Sequence, residues 1–276
     1  MIKRIFTDMD GTLLNPQGRV TDSNARLIQD SEIPLTLVSA RAPMEMRQAL
    51  DTLGLIGPQV AFNGGLIYRM NQGKVQPLHI DTIKQETTQR LLQEITQHFP
   101  QVSTSYYDLT HWYCATIDEG IRYEYDLTGC APSLKNPQDF LQAPLNTFKI
   151  MLITFEEETM QALMKHLKAL HLSDVSIQRS GAYYLEITSQ SAKKSQGIAY
   201  ILKKEGLTPA DTAAFGDGHN DLPMFAMVGT AIAMDNASSE VKEKAKYITR
   251  SNDQDGVGWG IKKYLTKGTL WSPFAI

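Results

Sequence analysis

Two aspartates, Asp8 and Asp10, stand at the end of the apolar segment Ile5-Phe6-Thr7 and are followed at once by Gly11 and Thr12. A second acidic pair, Asp217 and Asp221, follows the apolar run 212–215 far along the chain. Carboxylates can hold hard metal ions, act as nucleophiles and carry protons. An isolated acid after a strand is more often a turn former or a helix cap. Four acids meeting at one mouth are different, because two bare charges about 4 Å apart repel by roughly 4 kcal/mol at an effective dielectric near 20. They require a cation between them. Oxygen ligands suit a hard ion, and Mg²⁺ is the usual one where phosphates share its coordination shell.

Whether these acids meet depends on the elements that carry them. Brief apolar runs bounded by turn residues, at 2–6, 33–39, 212–215 and 230–234, read as buried parallel strands. Between them, Thr21 is placed to cap a helix over 22–31, Pro43 suits the first turn of a helix over 43–53, and Gly54 ends it. The alternation predicts an α/β fold with a doubly wound, Rossmann-like parallel-sheet core. Ligands of such sheets bind beyond the carboxyl ends of the strands, and Asp8, Asp10, Ser39, Asp217 and Asp221 all fall there.

Residues 83–185 follow another pattern. A helix carrying Ile83, Thr87, Leu91, Ile95 and Phe99 on one face leads into strands over 102–109, 111–117 and 147–155. A second helix has Met160, Leu163, Met164, Leu167 and Leu170 at helical spacing, and 175–188 reads as an antiparallel hairpin turning near Gly181. This predicts an inserted α+β cap domain at 83–185 within a discontinuous core made of 1–82 and 186–276. Tyr106, Tyr107, Trp112, Tyr113, Tyr123, Tyr125, Tyr183 and Tyr184 concentrate in the insertion. Large side chains fill the core of a small lobe, with one or two left to face substrate.

The 276 residues suffice for two lobes, and 42% hydrophobic and 21% charged content is ordinary for a folded protein. A net charge of −3 gives no broad attraction to nucleic acid or to an anionic membrane. The first residues reach Asp8 before any signal-like apolar stretch develops, and no run reaches the ~20 apolar residues of a membrane helix. A cytoplasmic protein without membrane or nucleic-acid partners is expected. Cys114 and Cys130 lack metal-type spacing and are read as reduced packing residues. The histidines are scattered, so no histidine-based zinc or hydrolase site is expected.

In this order, "DMDGT" (8–12), Ser39, Lys194 and "GDGHND" (216–221) resemble the four signature motifs of the haloacid dehalogenase superfamily. "FNGG" (62–65), "LEIT" (185–188), "IAMDNA" (232–237) and "DGV" (255–257) look like its Cof-type phosphatase branch. The resemblance covers about 1–82 and 186–276, whereas the insertion matches mainly in size and position. It departs from the family at Ala40 and Ser195, where glycine is usual, at His219, where glutamate is common, and at Asp235, often glycine.

The resemblance implies a role for each of these residues. Mg²⁺ is held by the carboxylates of Asp8 and Asp217 and the backbone carbonyl of Asp10, with Asp221 fixing the metal site. Asp8 attacks phosphorus to give an aspartyl-phosphate, while Asp10 protonates the leaving oxygen and then takes a proton from water. Gly11 permits the sharp exit from the strand, and Thr12 is expected to orient Asp10 through its hydroxyl. Ser39, the backbone N–H groups of Met9 and Asp10, and Asn220 bind phosphate. The spacing from Glu186 assigns the charge-neutralising role to Lys194 rather than to the solvated Lys193. Apart from the resemblance, Arg41 and Asn63, near strand ends of the core, are candidate substrate or cap contacts, with a surface ion pair and a turn-forming Asn-Gly as the alternatives, and Ala40 is counted with the phosphate-binding residues.

The function expected is Mg²⁺-dependent hydrolysis of small phosphate monoesters, sugar phosphates foremost. Alternatives are a phosphomutase of the same superfamily, a phospho-accepting domain that does not turn over, and a sugar-phosphate-binding protein. Physiological substrate and oligomeric state are left open.

Overall fold

The computed structural model describes residues 1–266; positions 267–276, the end of the expected 186–276 segment, lie outside the described residues. The chain forms two compact units. The first comprises Met1–Ser39, Gln48–Gln59 and the described residues from Ile198 onward.

Its sheet has five parallel strands in the order Tyr247–Ile248, Thr230–Ala233, Thr212–Gly216, Arg4–Thr7, Leu35–Leu37. Ile5, Phe6, Leu37, Ala213, Ala214 and Phe215 are all fully buried, which is why these stretches read as continuous apolar runs rather than as alternation. From Arg4–Thr7 the chain first moves to one side, to Leu35–Leu37, and later adds Thr212–Gly216 on the other side. That reversal leaves a crevice outside the carboxyl ends of the two central strands, the place where doubly wound folds take ligands. The helix after the first strand runs Asp22–Gln29, with the Thr21 side chain accepting from the Asn24 N–H as expected of a cap. It stops two residues short of the expected end, ahead of Glu32 in the left-handed region at φ 56°. The helix Pro43–Leu53 forms as expected.

The second unit comprises Ala40–Arg47 and Val60–Gly197. Its six-stranded sheet runs Val175–Ser180, Tyr184–Ser189, Lys149–Ile153, Ser103–Tyr107, Trp112–Cys114, Ser133–Leu134, antiparallel except for the last pair. Helices Gln85–His98 and Glu157–Ala169 set Leu91, Leu92, Ile95, Met160, Leu163 and Leu167 in one core with Ile150, Leu152, Leu185 and Ile187. Of the face expected inward, Ile83, Leu91 and Ile95 are buried in this core and Phe99 packs against it, while the inward stripe of the helix shifts from Thr87 to Thr88 and Leu92. Thr88, Leu91, Leu92 and Ile95 are buried, an i, i+3, i+4, i+7 set, while Thr87 bonds Asp174 and Ile83 precedes the helix, bridging to Thr147. Of the aromatics, Tyr106, Tyr107 and Trp112 are fully buried and Tyr125 and Tyr183 are exposed.

Several elements are not foreseen by sequence pattern. A separate three-stranded sheet joins Gln59–Ala61 to the hairpin Leu66–Asn71 and Lys74–Ile80, and a helix spans Glu119–Thr128. No helix among the described residues is long and apolar enough to cross a membrane. The architecture is the α/β parallel-sheet core with an additional α+β unit that the alternation predicts.

Candidate active site

Asp8 follows the strand Arg4–Thr7 in extended geometry and is buried, its N–H bonded to the Phe215 carbonyl of the neighbouring strand at 3.0 Å. The chain then turns through Met9–Leu13, with Asp10 exposed and Gly11 at φ 74°. On the adjacent strand, Asp217 follows Gly216. Thr12, fully buried, donates its hydroxyl to Asp217 Oδ1 at 2.7 Å. Here the expectation changes: the Thr12 hydroxyl serves Asp217 rather than Asp10. The reason is the turn at Gly11, which redirects the chain so that the Thr12 hydroxyl meets Asp217.

Asp221 is 0% exposed, and its Oδ2 accepts the backbone N–H groups of Asp217 and Gly218, each at 3.0 Å. Those two bonds hold the Asp217 loop in place. Carboxylate oxygens of Asp8, Asp217 and Asp221 lie within 4.8 Å of one another. A set of three anionic oxygens from two neighbouring strands, braced by a hydroxyl and two amides, fits a hard divalent ion such as Mg²⁺.

The Asp10–Gly11 turn is itself held. A Cβ on Gly11 would lie 2.4 Å from Asp217 Oδ2, so only glycine allows the two acidic segments to approach this closely. Asn236 donates to the Gly11 carbonyl at 2.8 Å and accepts from the Asn252 N–H at 3.0 Å, while the Asn252 side chain donates to the Leu14 carbonyl at 2.8 Å. Neither asparagine was assigned a part from sequence, although Asn236 lies inside "IAMDNA"; a side chain that caps a distant loop leaves no periodic signal. "DGV" has a related task. Asp255 accepts from Thr21 Oγ1 at 2.5 Å and from the Ser23 hydroxyl, tying the start of the first helix to the later chain.

Ser39 is fully buried just past Leu35–Leu37, whose following residue Val38 donates to the Thr7 carbonyl at 2.8 Å. Asn220 is exposed beside Gly218. On the surface, His219 Nε2 lies 3.6 Å from Glu240 Oε2, and Asp235 pairs with Lys242 at 3.1 Å.

Ala40, Arg41, Asn63 and Lys194 belong to the second unit. Lys194 is 2% exposed at the start of the helix Lys194–Glu205, whereas Lys193 is exposed. Asn63 sits at φ 55° with its Oδ1 buried and without a hydrogen-bond partner among the described residues. Gly64 follows at φ 107°, and a Cβ there would lie 2.3 Å from the Lys193 carbonyl oxygen. "FNGG" therefore brings backbone against the residue that precedes Lys194.

This unit also buries a charge cluster that sequence reading missed. Lys149 is 4% exposed, with its ammonium 4.6 Å above the Tyr107 ring and 3.5 Å from the Ala40 carbonyl. Tyr107 donates to Glu45 at 3.3 Å, and Tyr184 to Glu124 at 2.8 Å. Burial pulls the Lys149 pKa down, but the carboxylates of Glu186, Glu45 and Glu124 outweigh it and the net shift is upward. Burial and then the nearby Glu45 charge push the Glu124 carboxyl up. Burial likewise pushes the Tyr107 phenol well above its ordinary value. The available signal was a lysine inside the apolar run "FKIMLI", since a cation in a buried strand must find anions.

Residues 5–261 match the family profile of the haloacid dehalogenase-like hydrolases. A Haemophilus influenzae protein is 30% identical, the match covering 93% of this chain and 96% of its own. A Bacillus subtilis protein named 5-amino-6-(5-phospho-D-ribitylamino)uracil phosphatase is 26% identical, over 96% of this chain and 99% of its own. A crystal structure from Thermotoga maritima shares the fold at a TM-score of 0.86, with 23% identity over 97% of this chain and 99% of that one. The acidic crevice, the strand order that builds it and the span of these matches agree: the chain belongs to the haloacid dehalogenase-like hydrolase family and is a phosphatase of that family.

Proposed function

We propose that the chain hydrolyses phosphate monoesters of small polyhydroxylated metabolites, sugar or sugar-alcohol phosphates, by a Mg²⁺-dependent reaction through an aspartyl-phosphate. The observation that carries the proposal is the convergence of Asp8, Asp217 and Asp221 at the strand-order reversal, with Thr12 and two backbone amides fixing the acids. Phosphate monoesters hydrolyse unaided among the slowest of biological reactions, with enzymatic accelerations up to ~10²¹-fold, because nucleophile and substrate are both anionic. Asp8 and Asp217, with the Asp10 carbonyl, would hold Mg²⁺, which would neutralise part of that charge.

The chain's own groups do the rest. Asp8, ionised and held by its strand, attacks phosphorus in line with the leaving alcohol oxygen. Asp10, exposed at the turn, gives a proton to that oxygen and later receives one from the water that opens the aspartyl-phosphate. Ser39 donates to a phosphoryl oxygen, and Lys194 supplies a compact positive charge.

The substrate class rests on two supports. One is the relative named for a phosphorylated ribityl compound. The other is chemical: the buried Asn63 Oδ1, without a hydrogen-bond partner among the described residues, calls for a donor. A sugar hydroxyl supplies one.

Turnover of p-nitrophenyl phosphate with and without Mg²⁺, in wild type and Asp8→Asn, tests the reaction. Chelation of the metal should abolish turnover reversibly, and the substitution should lower it by at least about a hundredfold with the fold intact. Comparable activity in the variant would end the aspartyl-phosphate reading. Phosphate release from a panel of sugar phosphates, sugar-alcohol phosphates and nucleotides tests the class, and preference for nucleotides would overturn it.

A further inference from the structure

In the second unit, away from every residue assigned above, Glu94 and His98 lie one turn apart near the end of the helix Gln85–His98, and His166 lies in the helix Glu157–Ala169. His166 Nε2 is 3.0 Å and His98 Nε2 3.6 Å from the same oxygen, Glu94 Oε2. One donor atom from each residue falls within 4.8 Å of the others. We propose that Glu94, His98 and His166 form a second metal site, one that takes a borderline divalent ion such as Zn²⁺.

The distances carry the argument. Zn²⁺ binds imidazole nitrogen and carboxylate oxygen at about 2.0–2.2 Å in a tetrahedron, so adjacent donors stand about 3.3 Å apart. Two of the three edges, 3.0 and 3.6 Å, already bracket that value. The third closes by a swing of His98, which is free to move because its side chain is 46% exposed. His166 is steadier, with its ring edge-on to Phe99 at a centroid distance of 5.4 Å. The fourth position would hold water.

Chemistry separates this site from the catalytic crevice. Two imidazoles and one carboxylate favour Zn²⁺ and its neighbours, whereas the crevice offers oxygen alone and favours Mg²⁺. An ion at the histidine site also reinforces the link between two helices that apolar packing and the His166–Glu94 contact already join. Binding to the folded state alone then raises stability in proportion to the logarithm of metal concentration over Kd. The histidines carry no zinc signature in sequence, because the ligands come from two helices far apart along the chain.

The test compares full-length wild type with His98→Gln/His166→Gln in saturating Mg²⁺, by calorimetric titration with Zn²⁺ and by thermal unfolding. Wild type should bind one more equivalent of Zn²⁺ than the double variant, and only its unfolding midpoint should rise with Zn²⁺. Zinc that enters the catalytic crevice appears in both proteins and cancels. Turnover in Mg²⁺ alone should match between them, which verifies the fold of the variant. The surface substitution His98→Gln alone should weaken the extra equivalent at least about tenfold, as loss of one of three ligands requires. Equal zinc stoichiometry in wild type and variant, or a midpoint rise that survives the substitutions, would overturn the proposal.

Discussion

Thr12 and Asp217 are joined by a hydroxyl-to-carboxylate hydrogen bond of 2.7 Å that links the ends of the two central strands. The bond fixes one carboxylate oxygen of Asp217. Replacing Thr12 by valine keeps the volume of a fully buried side chain and removes only the donor. The Mg²⁺ concentration giving half-maximal turnover should rise about 10–100-fold, the usual effect of removing a group that orients a metal ligand. An unchanged Mg²⁺ dependence would show that Asp217 needs no such support.

Asp10 is exposed at the turn while Asp8 is buried in the strand end, a difference that suits a proton carrier beside a nucleophile. Asp10→Asn should slow formation and breakdown of the phospho-enzyme by about 10²–10⁴-fold each. Rapid-quench measurement of both steps checks this, and a variant slowed in neither would remove the acid–base role.

Gly64, at φ 107°, stands where a methyl group would meet the Lys193 carbonyl oxygen at 2.3 Å. Gly64→Ala should cost about 2–6 kcal/mol, from backbone strain together with overpacking. Denaturant unfolding measures the cost. Because the displaced backbone adjoins Lys194, kcat should fall as well, even under conditions where the variant is fully folded.

Glu124 supplies a pH prediction with a definite sign. Burial, and then the Glu45 charge, raise its pKa above the ordinary 4.5. As pH rises through 4.5 the unfolded chain loses its proton first, so the native state binds more protons and stability falls until Glu124 ionises in place. Glutamine at this position does not titrate but still accepts from Tyr184. Relative to wild type, Glu124→Gln should therefore gain stability as pH climbs from 4.5 through the raised native value, and hold that gain above it. Parallel unfolding curves at pH 4 to 8 would show a constant gap if Glu124 were unperturbed.

The core was legible because its signals are local. Ile5-Phe6 and Ala213-Ala214 are apolar runs that only a doubly covered sheet accommodates, and Thr21 and Pro43 mark helix starts by their own chemistry. The hairpin Leu66–Ile80 escaped notice for a physical reason. Its turn places Gln72 at φ 49° ahead of Gly73 at φ 78°, and glutamine in the left-handed region carries none of the usual Asn-Gly signal. The acids of the crevice could be placed at strand ends, but the partner of Thr12 could not, since that depends on where the Gly11 turn delivers a hydroxyl. Asn236, Asn252, and the grouping of Lys149 with Glu45 and Glu124 are likewise properties of the assembled fold.

The pairing of Arg4–Thr7 with Thr212–Gly216 sets an order of events during synthesis. The residue proposed to attack phosphorus is made some two hundred positions before the acids proposed to stand beside it. A truncated or stalled product that ends before Asp217 carries Asp8 without the two acids proposed to complete a metal site with it. Catalytic competence in this chain is thus acquired late, as a certificate that translation has reached the far side of the central sheet.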